Sequence, residues 1–199
     1  MLIIKKNKMK EKSILICLFL CAVLWSINLS SQTIYQEGFE SGADTTFTEI
    51  HGTESDIEVA TFASNTGVYG LMMEGNSSTD FGSTPTSVTE AFDATKTEHI
   101  CRLVDSVDAT GLSNLQLRFY MKMGYSFNTS YSWFRVMVNG TTYLADTTGA
   151  TFFQPLAHAD PFKTLVFDLS AYDDSVFVLS LEFCGKYYKD YYEEGDIIY

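Results

Sequence analysis

The sequence holds few of the residues that common enzyme chemistries need. Its three histidines, His51, His99 and His158, stand far apart, and no His-Glu-x-x-His run occurs. A Gly-x-Ser-x-Gly elbow, a phosphate-binding loop and a dinucleotide fingerprint are also missing. Glu182 falls on the polar side of an alternating strand, where a glycosidase could pair it with a second carboxylate. Carboxylates are so numerous that this carries no weight, and the expectation is a chain that is not an enzyme. Basic charge is scarce as well: 13 Lys and Arg stand against 25 Asp and Glu, a formal net charge of −12. Such a surface repels phosphate backbones and anionic lipid heads, which argues against nucleic-acid and membrane-surface binding. Helical periodicity is the last absence, since beyond residue 32 no stretch sustains it over three turns.

The N-terminus is built differently from the rest. Lys5, Lys6, Lys8, Lys10 and Lys12 precede an uncharged run from Ser13 to Gln32, with an apolar heart from Ile14 to Leu24. Positive charge, then an apolar core, then the small residues Ser30 and Ser31 is the order of a secretory signal peptide. The heart is short of the roughly 20 apolar residues that span a bilayer, although Trp25-Ser26-Ile27 lengthens the run and keeps a retained anchor as an alternative. Cys21 follows the bulky Phe19 and Leu20, which argues against a lipoprotein signal. We therefore expect a helical signal segment over residues 1–32, cleaved near Gln32, and one exported domain over 33–199, secreted or at the cell surface, with no stable membrane insertion afterwards.

Removing the signal leaves 8 basic and 24 acidic residues, net −16, in about 167 residues. Cys17 and Cys21 leave with it. Cys101 and Cys184 remain, to form one disulfide in an oxidising compartment or to stay as two half-buried thiols.

Period-two alternation dominates that domain. Leu115, Leu117, Phe119, Met121 and Met123 share one strand face, with Gln116, Arg118, Tyr120 and Lys122 on the other. Phe134–Val138 alternates likewise, and Asn139-Gly140 turns the chain back into Thr141–Leu144 as a hairpin. Leu165–Leu169 and Val176–Phe183 repeat the pattern. Shorter candidates are Thr33–Glu37, Ile57–Phe62, Tyr69–Met73, Val88–Phe92 and His99–Val104. Many short strands with turn signals between them predict an all-β, two-sheet antiparallel sandwich, or jelly roll.

Several phrases then stand in a recognisable order: Tyr35–Gly42, Gly70–Met73, Val107–Leu112, Val136–Gly140, Phe167–Tyr172, the Val176–Phe183 strand and Gly195–Tyr199. This order resembles the MAM-like jelly-roll domains of secreted bacterial proteins, including the cleaved-adhesin type. The resemblance implies adhesion, glycan contact, or an accessory module beside a catalytic domain. It also implies a closing strand running past Tyr199, so we expect a fragment of a longer protein. Related jelly rolls hold a structural calcium between their first and last strands. By that resemblance Glu40 and Asp196 are the leading ligands, with Glu37 and Asp44 behind them; as plain residues all four read as solvated carboxylates.

Aromatic residues offer the other candidate site. Tyr187, Tyr188, Tyr191 and Tyr192 fall in a charged stretch that reads as a loop, and Tyr125, Tyr131 and Trp133 flank a second loop over 126–132. Flat amphipathic rings with polar neighbours stack on sugars at little entropic cost. The expectation is a non-catalytic binding or adhesion module for glycans or a surface protein. A hydrolase accessory domain and a structural surface scaffold are the alternatives.

Overall fold

Alternation becomes strand wherever one face can be buried, and eleven strands form among the described residues of the computed structural model. These residues are 36–44, 46–53, 55–75, 88–92, 100–125, 133–153, 161–184 and 191–198, all within the unit Ile34–Tyr199. The expected signal segment, residues 1–32, lies outside them.

The strands are β1 (Gln36–Glu37), β2 (Thr48–His51), β3 (Ser55–Ala60), β4 (Gly70–Gly75), β5 (Ile100–Asp108), β6 (Gln116–Tyr125), β7 (Trp133–Val138), β8 (Thr142–Tyr143), β9 (Lys163–Asp168), β10 (Val176–Cys184) and β11 (Tyr191–Ile198). They pair antiparallel in two sheets, as the sequence leads one to expect. One is six-stranded in the order β3-β4-β11-β6-β9, with β1 also on β11; the other is five-stranded in the order β2-β5-β10-β7-β8.

Inward-facing residues of both sheets fill one core. Phe119 of β6 stacks on Phe167 of β9, with centroids 5.8 Å apart, and meets Phe134 of β7 edge-on across the sandwich at 5.8 Å. Phe153 closes the group against Phe167 at 5.7 Å. All four rings are buried.

Turn chemistry fixes the register. Asn139 and Gly140 adopt φ of 53° and 65° in a turn closed by the Thr141 N–H on Val138 O at 3.2 Å, and the ladder resumes with Val138 opposite Thr142. Asn139 also clasps the neighbouring strand: its N–H donates to Val178 O at 2.8 Å, and its Oδ1 accepts the Val178 N–H at 2.9 Å. Elsewhere, carboxylates satisfy loop amides. Asp173 accepts the N–H groups of Asn114 and Leu115, and Asp174 accepts that of Gly111. Part of the acidic excess therefore serves the loops.

Two segments differ from expectation. Val88–Phe92 reads as a strand, yet Val88–Ala91 is a short helix, α1. It lies over a sheet: Ala91 and Phe92 pack with Ile100, Cys184 and Trp133 in a small second core. Tyr191 and Tyr192, expected in a loop, begin the inner strand β11.

Of the two readings of Cys101 and Cys184, the strand register opposes the bridge and favours two separate buried thiols. Cys101 lies opposite Phe183, and Cys184 lies opposite Ile100, a register offset of one residue. Neighbours along a strand face opposite sides. Cys101 therefore points into the main core, and Cys184 joins the second core on the other side of the sheet.

Candidate functional site

The expected calcium ligands divide into two groups. Glu37 Oε1 accepts the Phe39 N–H at 2.7 Å, and its Oε2 accepts the Thr46 hydroxyl at 3.0 Å. Asp44 Oδ1 accepts the N–H groups of Thr46 and Phe47 at 2.9 and 3.1 Å. Thr46 thus ties the two carboxylates together. Asp44 Oδ2 is buried and has no hydrogen-bond partner among the described residues. Burial pushes the Asp44 carboxyl above its ordinary value of 3.8; the Thr46 and Phe47 amides pull it back in part, and Glu37 adds repulsion.

Glu40 is engaged elsewhere. Its carboxylate accepts the N–H groups of Val68, at 3.0 Å, and Tyr69, at 3.2 Å, where the β3–β4 connection turns. Gly67 precedes them at φ +77°, and a Cβ there would collide with that carboxylate, which is why glycine stands at this position. Asp196 lies within the β11 irregularity between Glu194 and Ile197, the latter the register partner of Glu37; its side chain is outside the described residues. No group of three metal-ligating side chains occurs among the described residues. The carboxylate with the orphaned oxygen, beside Glu37, fits a hard cation, and Glu40 does not join them.

The aromatic candidates also separate. Tyr131, Tyr187 and Tyr188 lie outside the described residues. Tyr125 and Tyr191 are direct register partners at the ends of β6 and β11, and Tyr192 pairs with Met123. Trp133 starts β7 opposite Cys184, the last residue of β10. The strand ends that bound 126–132 and 185–190 are therefore neighbours, at one end of the two sheets.

The most developed polar arrangement sits on the outer face of the five-stranded sheet. Arg102 (β5), Glu182 (β10) and Arg135 (β7) are register neighbours across three adjacent strands. Glu182 Oε1 accepts Arg102 Nε at 3.1 Å and the Ser180 hydroxyl at 3.1 Å; Oε2 accepts Arg135 Nε at 2.7 Å and Nη2 at 2.5 Å. Phe92 covers Arg135, its ring centroid 3.8 Å from Cζ, and Tyr143 of β8 stands at 5.4 Å. Tyr143 is itself tilted against Phe152 at 5.2 Å. Trp133, next outward residue to Arg135, buries an Nε1–H that has no acceptor among the described residues.

Along the same outer face, apolar residues stand open to solvent. Ile50 is 44% exposed, Tyr143 46%, Val178 41% and Val176 61%, and outward register places all four on this face. They are four of the six large hydrophobic residues exposed among the described ones; Phe62 and Val68 lie elsewhere. Of this face, sequence reasoning singled out only Trp133 as a contact residue.

No protein-family model matches the chain, and no curated protein matches it. Among solved structures it is similar to the K1 cleaved adhesin domain of Lys-gingipain from Porphyromonas gingivalis W83, at 14% identity over 82% of this chain and 95% of that one, with a TM-score of 0.50. It is also similar to the CBM22-1 xylan-binding domain of a Paenibacillus barcinonensis protein, at 16% identity over 84% and 92% of the two chains, TM-score 0.49. A family 11 carbohydrate-binding module from Clostridium thermocellum, in complex with a β-1,3-1,4-mixed-linked tetrasaccharide, gives 13% identity, 81% and 91% coverage, and a TM-score of 0.47. At such identities the likeness is one of fold: the chain is an antiparallel β-sandwich similar to the cleaved-adhesin domain.

Proposed function

We propose that the chain is a non-catalytic, exported binding module that holds a glycan on the outer face of its five-stranded sheet. The observation that carries this reading is the open apolar surface that shares one sheet face with an aromatic-covered Arg–Glu–Arg centre. Sugar rings have an apolar C–H face and a hydroxyl rim, so they need flat apolar contact beside fixed polar groups. Xylan and the β-1,3-1,4-mixed-linked tetrasaccharide, named for two proteins of similar fold, are simply the first ligands to try. Export rests on the signal segment; among the described residues no helix is long and apolar enough to cross a membrane.

A polysaccharide panel in affinity electrophoresis tests the reading. Retardation by at least one polysaccharide is expected, and Tyr143→Ala should weaken it about tenfold or more, because an exposed ring is lost. Tyr143→Phe, which keeps the ring, should retain most of the affinity. Unchanged retardation with Tyr143→Ala would move the site off this face.

Calcium belongs to the same reading as a structural ion. Glu37 and Asp44 would hold it, with Asp196 from the neighbouring strand, and the ion would tie the first strand to the last. At a hundredfold excess of calcium over Kd the melting temperature should rise by roughly 5–10 °C. Asp44→Asn should abolish the rise, and an unchanged melting curve in wild type would remove the ion from the account.

In chelator, Asp44 makes its own pH prediction. Its folded pKa is raised, so the folded state binds the proton more tightly than the unfolded chain. That contribution is full below the ordinary value of 3.8 and is lost as pH rises through the raised folded value. Asp108 and Asp168 act in the opposite sense, held low mainly by hydrogen bonds from Thr110 and Ser170. Comparison with Asp44→Asn cancels them. Wild type should therefore gain stability relative to Asp44→Asn on acidification towards pH 4, a range set by the 3.8 reference; a constant difference in chemical-denaturation curves would contradict the assignment.

A further inference from the structure

We infer that the ligand carries a carboxylate, a uronic acid borne on a polysaccharide, and that Arg102 receives it. This rests on the glycan reading above and names the chemistry of that same face.

The first observation is an excess of donors. Both oxygens of Glu182 are already engaged, by Arg102, Arg135 and Ser180. Arg102 uses only its Nε within the triad, and its Nη groups make no hydrogen bond among the described residues. A ligand arriving here meets the Nη N–H groups of Arg102. A hydroxyl brings a donor with each acceptor, whereas a carboxylate brings acceptors alone and fits a guanidinium fork in two places.

The second observation is charge. The triad holds two guanidiniums and one carboxylate, an excess of one positive charge, on a chain whose formal net charge is −12. The only other carboxylate at an outward position of the described strands of this sheet is Asp108. It lies six residues along β5 from Arg102, about 20 Å away at the rise of an extended strand. Arg102 is also the accessible member of the triad: its side chain is 27% exposed, against 10% for Arg135 and 7% for Glu182.

The third is the limit set by the rest of the molecule. An acidic chain opposes a densely charged polyanion at long range, and screening over ~8 Å at physiological salt confines the attraction to contact. The face is therefore suited to a largely neutral backbone with scattered acid groups. The apolar neighbours Ile50, Val178 and Tyr143 would take the sugar rings, and Arg102 the acid.

Carboxyl reduction isolates this group, because it turns each uronic acid into its neutral sugar and leaves the backbone intact. Glucuronoxylan, whose acid groups are scattered on a neutral backbone, would be offered to the full chain before and after reduction, with the densely charged pectin and alginate as contrasts, in affinity electrophoresis and titration calorimetry. At least one native polymer should bind about tenfold or more tightly than its reduced form. Arg102→Gln should bring the native polymer down to the level of the reduced one, and Arg102→Lys, which keeps the charge but loses the fork, should fall between. Equal affinity for native and reduced polymers would overturn the inference and leave the glycan reading standing. Retention of no polysaccharide, neutral or acidic, would overturn both. Should Arg102→Gln fail to fold, the native-to-reduced ratio in wild type and the Arg102→Lys result still decide.

Discussion

Glu182→Ala lowers the stability of the domain by about 3–5 kcal/mol, the loss expected when one member of a buried ion cluster is removed. The reason is the state in which the arginines are left. Arg135 is buried beneath Phe92 and has its Nε and Nη2 on Glu182; Arg102 shares the same carboxylate. Without it, two guanidiniums remain close together in a partly dehydrated place, with no counter-charge between them. Domains of this kind are stable by only ~5–15 kcal/mol, so the loss is a large share of the total. Glu182→Gln keeps the shape and some acceptor capacity, and should cost less. Simultaneous replacement of Arg102, Glu182 and Arg135 by apolar residues of similar size should come out near neutral in stability. That triple variant should nevertheless bind no acidic glycan, which separates the site's function from its contribution to folding. Urea denaturation measures all three; a Glu182→Ala protein as stable as wild type would show that the triad is not buried as described.

Phe119→Ala is the second large effect, at about 3–5 kcal/mol. Phe119 is fully buried at the point where the sheets meet, stacked on Phe167 and edge-on to Phe134. Its removal leaves a cavity that neither sheet can close, because both backbones are held by hydrogen-bonded neighbours. Phe119→Leu refills most of the space and should lose less than half as much. Glycan affinity, measured below the melting temperature of the variant, should barely change, since the core lies on the other side of the five-stranded sheet from Arg102. A large loss of affinity with Phe119→Leu would mean that the face depends on core packing more than its own register suggests.

What the sequence revealed follows from where period-two alternation is strong. The Leu115–Met123 pattern became β6, and the Asn139-Gly140 turn became the β7–β8 hairpin, because each is specified by its own residues. Val88–Phe92 went astray because a short apolar run does not distinguish a strand from a turn of helix. Its fate is set by packing on the far side of a sheet. The resemblance put a closing strand at Gly195–Tyr199, but its first half reads as a loop for a different reason: Tyr-Tyr-Glu-Glu-Gly-Asp has no alternation, yet β4, β6 and β1 supply partners along both edges of Tyr191–Ile198.

The triad did leave a signal. The outward positions of β7 are Trp133, Arg135 and Met137, and those of β10 include Ser180, Glu182 and Cys184. A solvated face would not hold a tryptophan, a methionine and a cysteine beside its charges. Which arginine meets which carboxylate is a matter of strand order, and β5 reaches β10 from some eighty positions earlier in the chain. The cysteines make the same point, since 101 and 184 are brought to paired strands but one register step apart. The carboxylates at the other end were legible as a group, and the structure gives Glu40 to the Val68 and Tyr69 amides while leaving Glu37 beside Asp44.

If the outer face of the five-stranded sheet is the binding surface, its residues respond to the ligand and those of the other sheet do not. Nuclear magnetic resonance of the labelled chain, titrated with an oligosaccharide from whichever polymer retards it, tests this directly. Shifts are expected at the Arg102 side chain, Val104, Val178 and Tyr143, with the outward residues Arg118, Tyr120 and Lys122 of β6 unmoved. Shifts confined to the six-stranded sheet, or to the Glu37–Asp44 corner, would contradict it.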